Sequence, residues 1–131
     1  MINILIISHA EIANSFAYCI EHIINKRVEN LVVLPVKKAE STESILARAQ
    51  EIVKMQLSNA EGVLILTDVF GATPSNIASK LIKSGKVELI TGLNLPMLIR
   101  AISYSKGTLA DCVSKSIDGG VNGIVHISES R

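Results

Sequence analysis

The sequence predicts an α/β protein: a single domain with a mainly parallel four-stranded sheet, order 2-1-3-4, and helices on both faces. Three observations carry that reading. Four short runs, at 2–7, 31–35, 62–67 and 87–91, are predominantly apolar rather than alternating, as expected of strands covered on both sides. Each run is followed by apolar residues at helical spacing, the β-α alternation of a parallel sheet. The chain has 131 residues, 48% of them hydrophobic, which suits one ordinary core and leaves little room for two.

Taken in order, strand one (2–7) is rich in Ile and ends at Ser8. Ile12, Phe16, Cys19, Ile20 and Ile23 then mark one face of a helix, with Lys26 and Arg27 near its end, where cations complement the helix dipole. Strand two (31–35) stops at Pro35. Ser41 opens the second helix as its N-cap, with Glu43 in the first turn and Ile45, Ala49 and Ile52 on one side. Strand three (62–67) leads to Thr73, read as an N-cap before Pro74 at the first helical position. That helix carries Ile77 and Leu81 and is expected to stop near Gly85. After strand four (87–91) come helices over 95–104 and 108–116, the second opened by Thr108 and Asp111 at capping-box spacing. Gly119, Gly120 and Gly123 are expected to free the backbone before a short last strand at 124–127.

Composition removes several classes. Lys plus Arg number 13 against 12 Asp plus Glu, so no basic footprint predicts nucleic-acid binding. The longest apolar runs fall far short of the ~20 residues that span a bilayer, and no basic n-region precedes the first one. No direct membrane insertion is expected. The two cysteines, Cys19 and Cys112, are far apart and read as small core residues of a reduced, cytoplasmic protein. Neither a Walker A sequence nor GxGxxG occurs, and the three His and two Cys lack ligand spacing. No cofactor and no metal are predicted.

In an open α/β sheet, ligands bind beyond the carboxyl ends of the strands, where the strand order reverses. With strands one and three adjacent, His9 and Asp68 meet there. A carboxylate beside an imidazole fixes its tautomer and leaves the other nitrogen with an outward lone pair. That pair suits a general base, a metal ligand or a nucleophile toward phosphorus. The segment Gly71, Ala72, Thr73, Pro74, Ser75, Asn76 combines a flexible glycine with two hydroxyls and opens a helix, where free N–H groups favour anions. Together these point to a phosphohistidine. His22 and His126 receive no role.

The run Ile4-Leu5-Ile6-Ile7-Ser8-His9, the segment from Thr67 to Asn76 and the segment from Thr91 to Leu98 resemble the mannose-type enzyme IIA of the bacterial sugar phosphotransferase system. The likeness covers nearly the whole chain, in order, and its specific part is Asp-x-Phe-Gly-x-Thr-Pro-Ser-Asn, beginning at Asp68. It implies a single domain over 1–131 in which His9 accepts a phosphoryl group from phospho-HPr and passes it to an EIIB partner. Asp68 would orient and activate His9, and Gly71, Ala72, Thr73 and Ser75 would border the phosphoryl site. It further implies a homodimer that exchanges the strand at 124–127. With no IIB domain before the end at Arg131, the EIIB partner is expected to be a separate chain; without one, the domain would sense phosphorylation state. Ala10 and Ala72 stand where the family often has glycine, which favours a stiffer loop.

Three other readings compete. The phosphotransferase subunit of dihydroxyacetone kinase is similar around the first histidine but lacks the Phe-Gly-x-Thr-Pro-Ser-Asn pattern. A receiver domain would place its phosphoryl group on aspartate, yet it needs an acidic pair after strand one, where this chain has Ser8 and His9. A non-enzymatic interaction module would leave His9 incidental.

Overall fold

The computed structural model describes residues 1–129. Strands β1 (Ile2–His9), β2 (Leu31–Val36), β3 (Gly62–Thr67) and β4 (Val87–Thr91) form one parallel sheet in the order β2-β1-β3-β4. Helices α1 (Ile12–Ile24), α2 (Thr42–Leu57), α3 (Thr73–Ser79), α4 (Leu95–Ser103) and α5 (Leu109–Asn122) make the connections.

The period-2 geometry of β1 divides its side chains between two cores. Ile2, Ile4 and Ile6 join Leu64, Leu66 and Ile90 beneath α1, α4 and α5. Leu5 and Ile7 join Val63, Ile65 and Val87 beneath α2 and α3. Every residue from Gly62 to Thr67 is buried, so this central run marks a strand covered on both faces, whereas the edge strands β2 and β4 are only partly buried. Pro35 lies within β2 rather than ending it. The strand lies at the sheet edge, where a residue lacking an N–H breaks no ladder.

Several expectations shift. The buried stripe of α1 runs through Ala13 and Ile20, with Phe16 and Ile24 packed against the core; Ile12 and Ile23 are exposed. Alanine, a weak term in any apolar count, sets the true face. Ser41 caps α2 as expected, accepting from the Ser44 N–H at 3.1 Å, but Val53 rather than Ile52 completes its buried row. Thr108 caps α5, accepting from the Asp111 N–H at 3.1 Å. The N-cap of α3 is Ala72, and Thr73 is its first residue. That helix ends at Ser79, well before Gly85, while Leu81 stays buried beyond it.

The largest correction concerns the glycines near the C-terminus. Gly119 and Gly120 do not free the backbone; they lie inside α5, which continues to Asn122. A Cβ at Gly119 would run into the Arg100 side chain and sit 3.0 Å from the Pro96 carbonyl. At Gly123 it would meet the Pro96 ring at 2.5 Å. The glycines let α5 lie flat against α4, and that contact outweighs their poor helix propensity of about 1 kcal/mol each. The stretch 124–127 forms no strand within this chain, and Ile124, Val125 and Ile127 are 77%, 61% and 78% exposed.

Candidate functional site

His9 is the last residue of β1, and Asp68 follows the last residue of β3. The two strands run side by side with Ile7 opposite Thr67, so their ends deliver both side chains to one place. This is where the order reverses: β1 lies between β2 and β3, and the helices after β1 and β3 cover opposite faces. His9 Nδ1 lies 2.7 Å from Asp68 Oδ2. The same oxygen accepts the His9 backbone N–H at 3.1 Å, and Oδ1 accepts the Val69 N–H at 2.9 Å.

Two backbone hydrogen bonds therefore fix the Asp68 carboxylate before it does anything to the ring. Because an ionised carboxylate only accepts, Nδ1 carries the proton and Nε2 keeps its lone pair. Partial burial pushes the Asp68 carboxyl upward, yet the His9 side-chain and backbone bonds, the imidazole charge and the Val69 N–H together hold it below the ordinary aspartate value. Asp68 is thus kept ionised and is only 14% exposed, whereas the His9 ring is half open to solvent at 50%. An oriented, outward-facing imidazole is the form a nucleophile or base requires.

The loop after Asp68 separates into parts. Gly71 takes φ +86° with open space around it, a conformation that favours glycine. Ala72 is extended, with φ −87°, and Ala10 has no positive φ. Ala10 and Ala72 therefore sit in conformations that alanine adopts freely. Positive φ appears instead at Glu11, +74°, just before α1. Ser75 is buried; its hydroxyl donates to the Val69 carbonyl at 2.6 Å and meets the Thr67 hydroxyl at 2.7 Å. Its hydroxyl is engaged in holding the loop. Thr73, freed from capping, lines the cleft that contains His9.

That cleft, of about 570 Å³, brings His9, Ala10 and Thr73 together with Val36, Lys37, Lys38, Glu40, Thr42 and Ile45. The residues after β2 were missed by the sequence reading, which considered the ends of strands one, three and four. The rule that singles out carboxyl ends applies equally to β2 and would have found Lys37 and Lys38. Asn94, after β4, is structural: it accepts from the Met97 N–H at 2.9 Å and donates to the Gly120 carbonyl at 3.1 Å.

His22 lies exposed on α1, stacked on Tyr18 with ring centroids 6.2 Å apart, and His126 sits in the tail after α5. Cys112 is buried, its Sγ–H donating to the Ala101 carbonyl at 3.4 Å. Burial pushes that thiol up to about 11 despite a bond to Ser116. Cys19 is half-buried. Among the described residues no three His, Cys, Asp or Glu side chains gather as a metal site, and no helix is long and apolar enough to cross a membrane.

The family model EIIA-man, described as PTS system fructose IIA component, matches residues 3–117. The chain is 31% identical over 75 residues to a PTS system fructose-specific EIIA component of Bacillus subtilis, a match covering 56% of this chain and 51% of that protein. The chain thus aligns with about half the length of that relative. It is 26% identical over 113 residues to a PTS system sorbose-specific EIIA component of Lacticaseibacillus casei, covering 85% of this chain and 80% of the other. Among solved structures it is similar to phosphotransferase system component EIIA from Streptococcus agalactiae, with a TM-score of 0.84 and 27% identity over 96% of this chain and 97% of that one.

Proposed function

The chain belongs to the EIIA-man family of phosphotransferase-system IIA components, and from that premise we propose that it carries phosphoryl groups on His9. The observation that carries this reading is the 2.7 Å contact between Nδ1 and an Asp68 carboxylate already fixed by two backbone N–H groups. It presents Nε2, and not Nδ1, to an incoming phosphorus.

The donor is the phosphohistidine of HPr. The Nε2 lone pair of His9 forms the new P–N bond, while the bond to the donor nitrogen breaks and returns its electron pair to the donor ring. The proton on Nδ1 stays in place, and Asp68 offsets the positive charge that develops on the imidazole. Little covalent work is asked of the protein, so positioning and electrostatics supply the rate. Gly71, Ala72 and Thr73 border the transferred group, and Ser75 keeps their loop in place. The return step delivers the group to an acceptor side chain of an EIIB protein, on the cytoplasmic side of the membrane.

A homodimer accompanies this reading. The exposed aliphatic stretch 124–127 suits pairing with a second copy of the chain, as in the exchanged strand that the family resemblance implies. Equilibrium sedimentation of the full chain should give a dimer, and a monomer at all concentrations would remove this part of the proposal.

The function is tested by label transfer from phosphoenolpyruvate through enzyme I and HPr. One phosphoryl group per chain is expected, labile in acid and stable in base. An absence of label overturns the reading, and a base-labile label would move the site to a carboxylate such as Asp68.

A further inference from the structure

The sheet register places Val36, the last residue of β2, directly opposite His9, and the Ala10 N–H donates to the Val36 carbonyl at 2.9 Å. The two residues that leave the sheet edge at this point are Lys37 and Lys38, both exposed and both lining the His9 cleft. The Glu40 N–H closes a turn onto the Lys37 carbonyl at 3.2 Å, which fixes the path of this loop. The one carboxylate in the cleft lining, Glu40, is paired with Arg48 and accepts from the Ser44 hydroxyl. Neither lysine has an ion-pair partner among the described residues. The lining therefore carries two uncompensated ammonium groups beside His9, in a cleft that Thr42, the first residue of α2, also borders.

Phosphorylation changes the charge balance sharply. The Asp68 carboxylate is already present, and a phosphoryl group adds a charge of about −1.5 to −2 near neutral pH. The imidazole can offset only one of these charges. Lysine is a phosphate ligand of the point-charge kind, needing proximity rather than a fixed fork geometry. On the reading that His9 carries phosphate, we propose that Lys37 and Lys38 form the phosphoryl-binding subsite of the loaded protein, holding the group as a dianion on the side away from Asp68.

The test uses the full-length protein phosphorylated through HPr and followed by phosphorus NMR across pH, with no partner bound. Two neighbouring cations favour the dianion, so the phosphoryl group of the wild type should titrate lower than that of the Lys37→Gln/Lys38→Gln double variant. A difference of about half a pH unit or more is expected for ammonium groups in a partly solvated cleft. The Lys37→Arg/Lys38→Arg variant should keep the wild-type midpoint. Transfer from phospho-HPr to the glutamine double variant should be slower by about tenfold and less sensitive to salt. Either single glutamine variant provides the same titration should the double variant fold poorly.

Indistinguishable midpoints in wild type and glutamine variants overturn the proposal, even where transfer is slowed, because lysines that merely dock an acidic donor face leave the isolated phosphoprotein unchanged. A wild type that gives no phosphohistidine resonance at all instead defeats the underlying functional reading, and this subsite falls with it.

Discussion

The carboxyl end of β1 and the packed seam between α4 and α5 use the same kinds of local signal and reward them differently. At the first, a strand end followed by His9, and another by Asp68, fixes a site whose parts are recognisable from residue type alone. At the second, Gly119, Gly120 and Gly123 look like chain breakers, yet two of them continue a helix. The chemistry of His9 depends on one near neighbour at 2.7 Å. The meaning of Gly119 depends on the Pro96 carbonyl and the Arg100 side chain that pack against it. Side chains that react carry their information with them, whereas small residues take theirs from whatever approaches them.

This contrast can be broken by experiment, because the first region should govern function with little effect on stability and the second the reverse. His9→Ala should abolish phosphoryl acceptance completely while leaving the circular dichroism and thermal midpoint near wild type, since half of the ring is exposed. His22→Ala and His126→Ala should retain full labelling. Label retained in the His9 variant would place the nucleophile elsewhere.

Asp68→Asn comes next. The amide keeps the shape but is a weaker acceptor for Nδ1–H, and no longer offsets charge on the ring. A loss of about 10²–10⁴-fold in transfer rate is expected, the range for a group assisting acid–base chemistry. Rapid-quench transfer from phospho-HPr measures it. A rate within about threefold of wild type, well short of that range, would reduce Asp68 to a turn residue.

In the seam, Gly119→Ala should leave phosphoryl transfer unchanged and lower stability in urea denaturation. Overpacking against the fixed Pro96 carbonyl costs about 1–3 kcal/mol, partly offset by the roughly 1 kcal/mol that alanine gains in a helix. Gly120→Ala should be close to neutral, because the nearest obstacle is the flexible end of Met97 at 2.9 Å. Equal effects at the two positions would mean that backbone proximity is not what distinguishes them.

How far the sequence could be read follows the same line. Strand positions were legible because apolar runs are local, and the pairing of His9 with Asp68, 59 residues apart, because both follow strands that a common parallel order makes neighbours. The end of α3 was not, since Leu81 stays buried outside the helix and so imitates its continuation. The role of Ser75 was equally hidden: its hydroxyl looks available for a phosphoryl group in sequence, but in the fold it is taken by Thr67 and Val69. Lys37 and Lys38 are legible in principle, as residues following a strand, but their uncompensated charge depends on the pairing of Glu40 with Arg48, which only the fold supplies.

The smallest expected effect is a titration, and it asks which bond orients Asp68. In the folded protein burial raises its carboxyl and hydrogen bonds lower it, leaving it below the ordinary aspartate range. A group whose folded value is depressed contributes stability above its unfolded value of about 3.9, and that contribution is lost as pH falls through the folded value. His9→Ala removes the side-chain bond to Oδ2 but preserves the backbone N–H bonds from residue 9 and Val69. The Asp68 carboxyl, followed by carbon NMR, should therefore titrate higher in His9→Ala than in wild type. The stability that this carboxylate contributes should be smaller in the variant, and its loss on acidification should be complete at higher pH. An unchanged Asp68 midpoint would mean that the backbone amides alone set the carboxylate. The imidazole would then be a passenger on a turn already made, and the resemblance between site and seam would be closer than their chemistry implies.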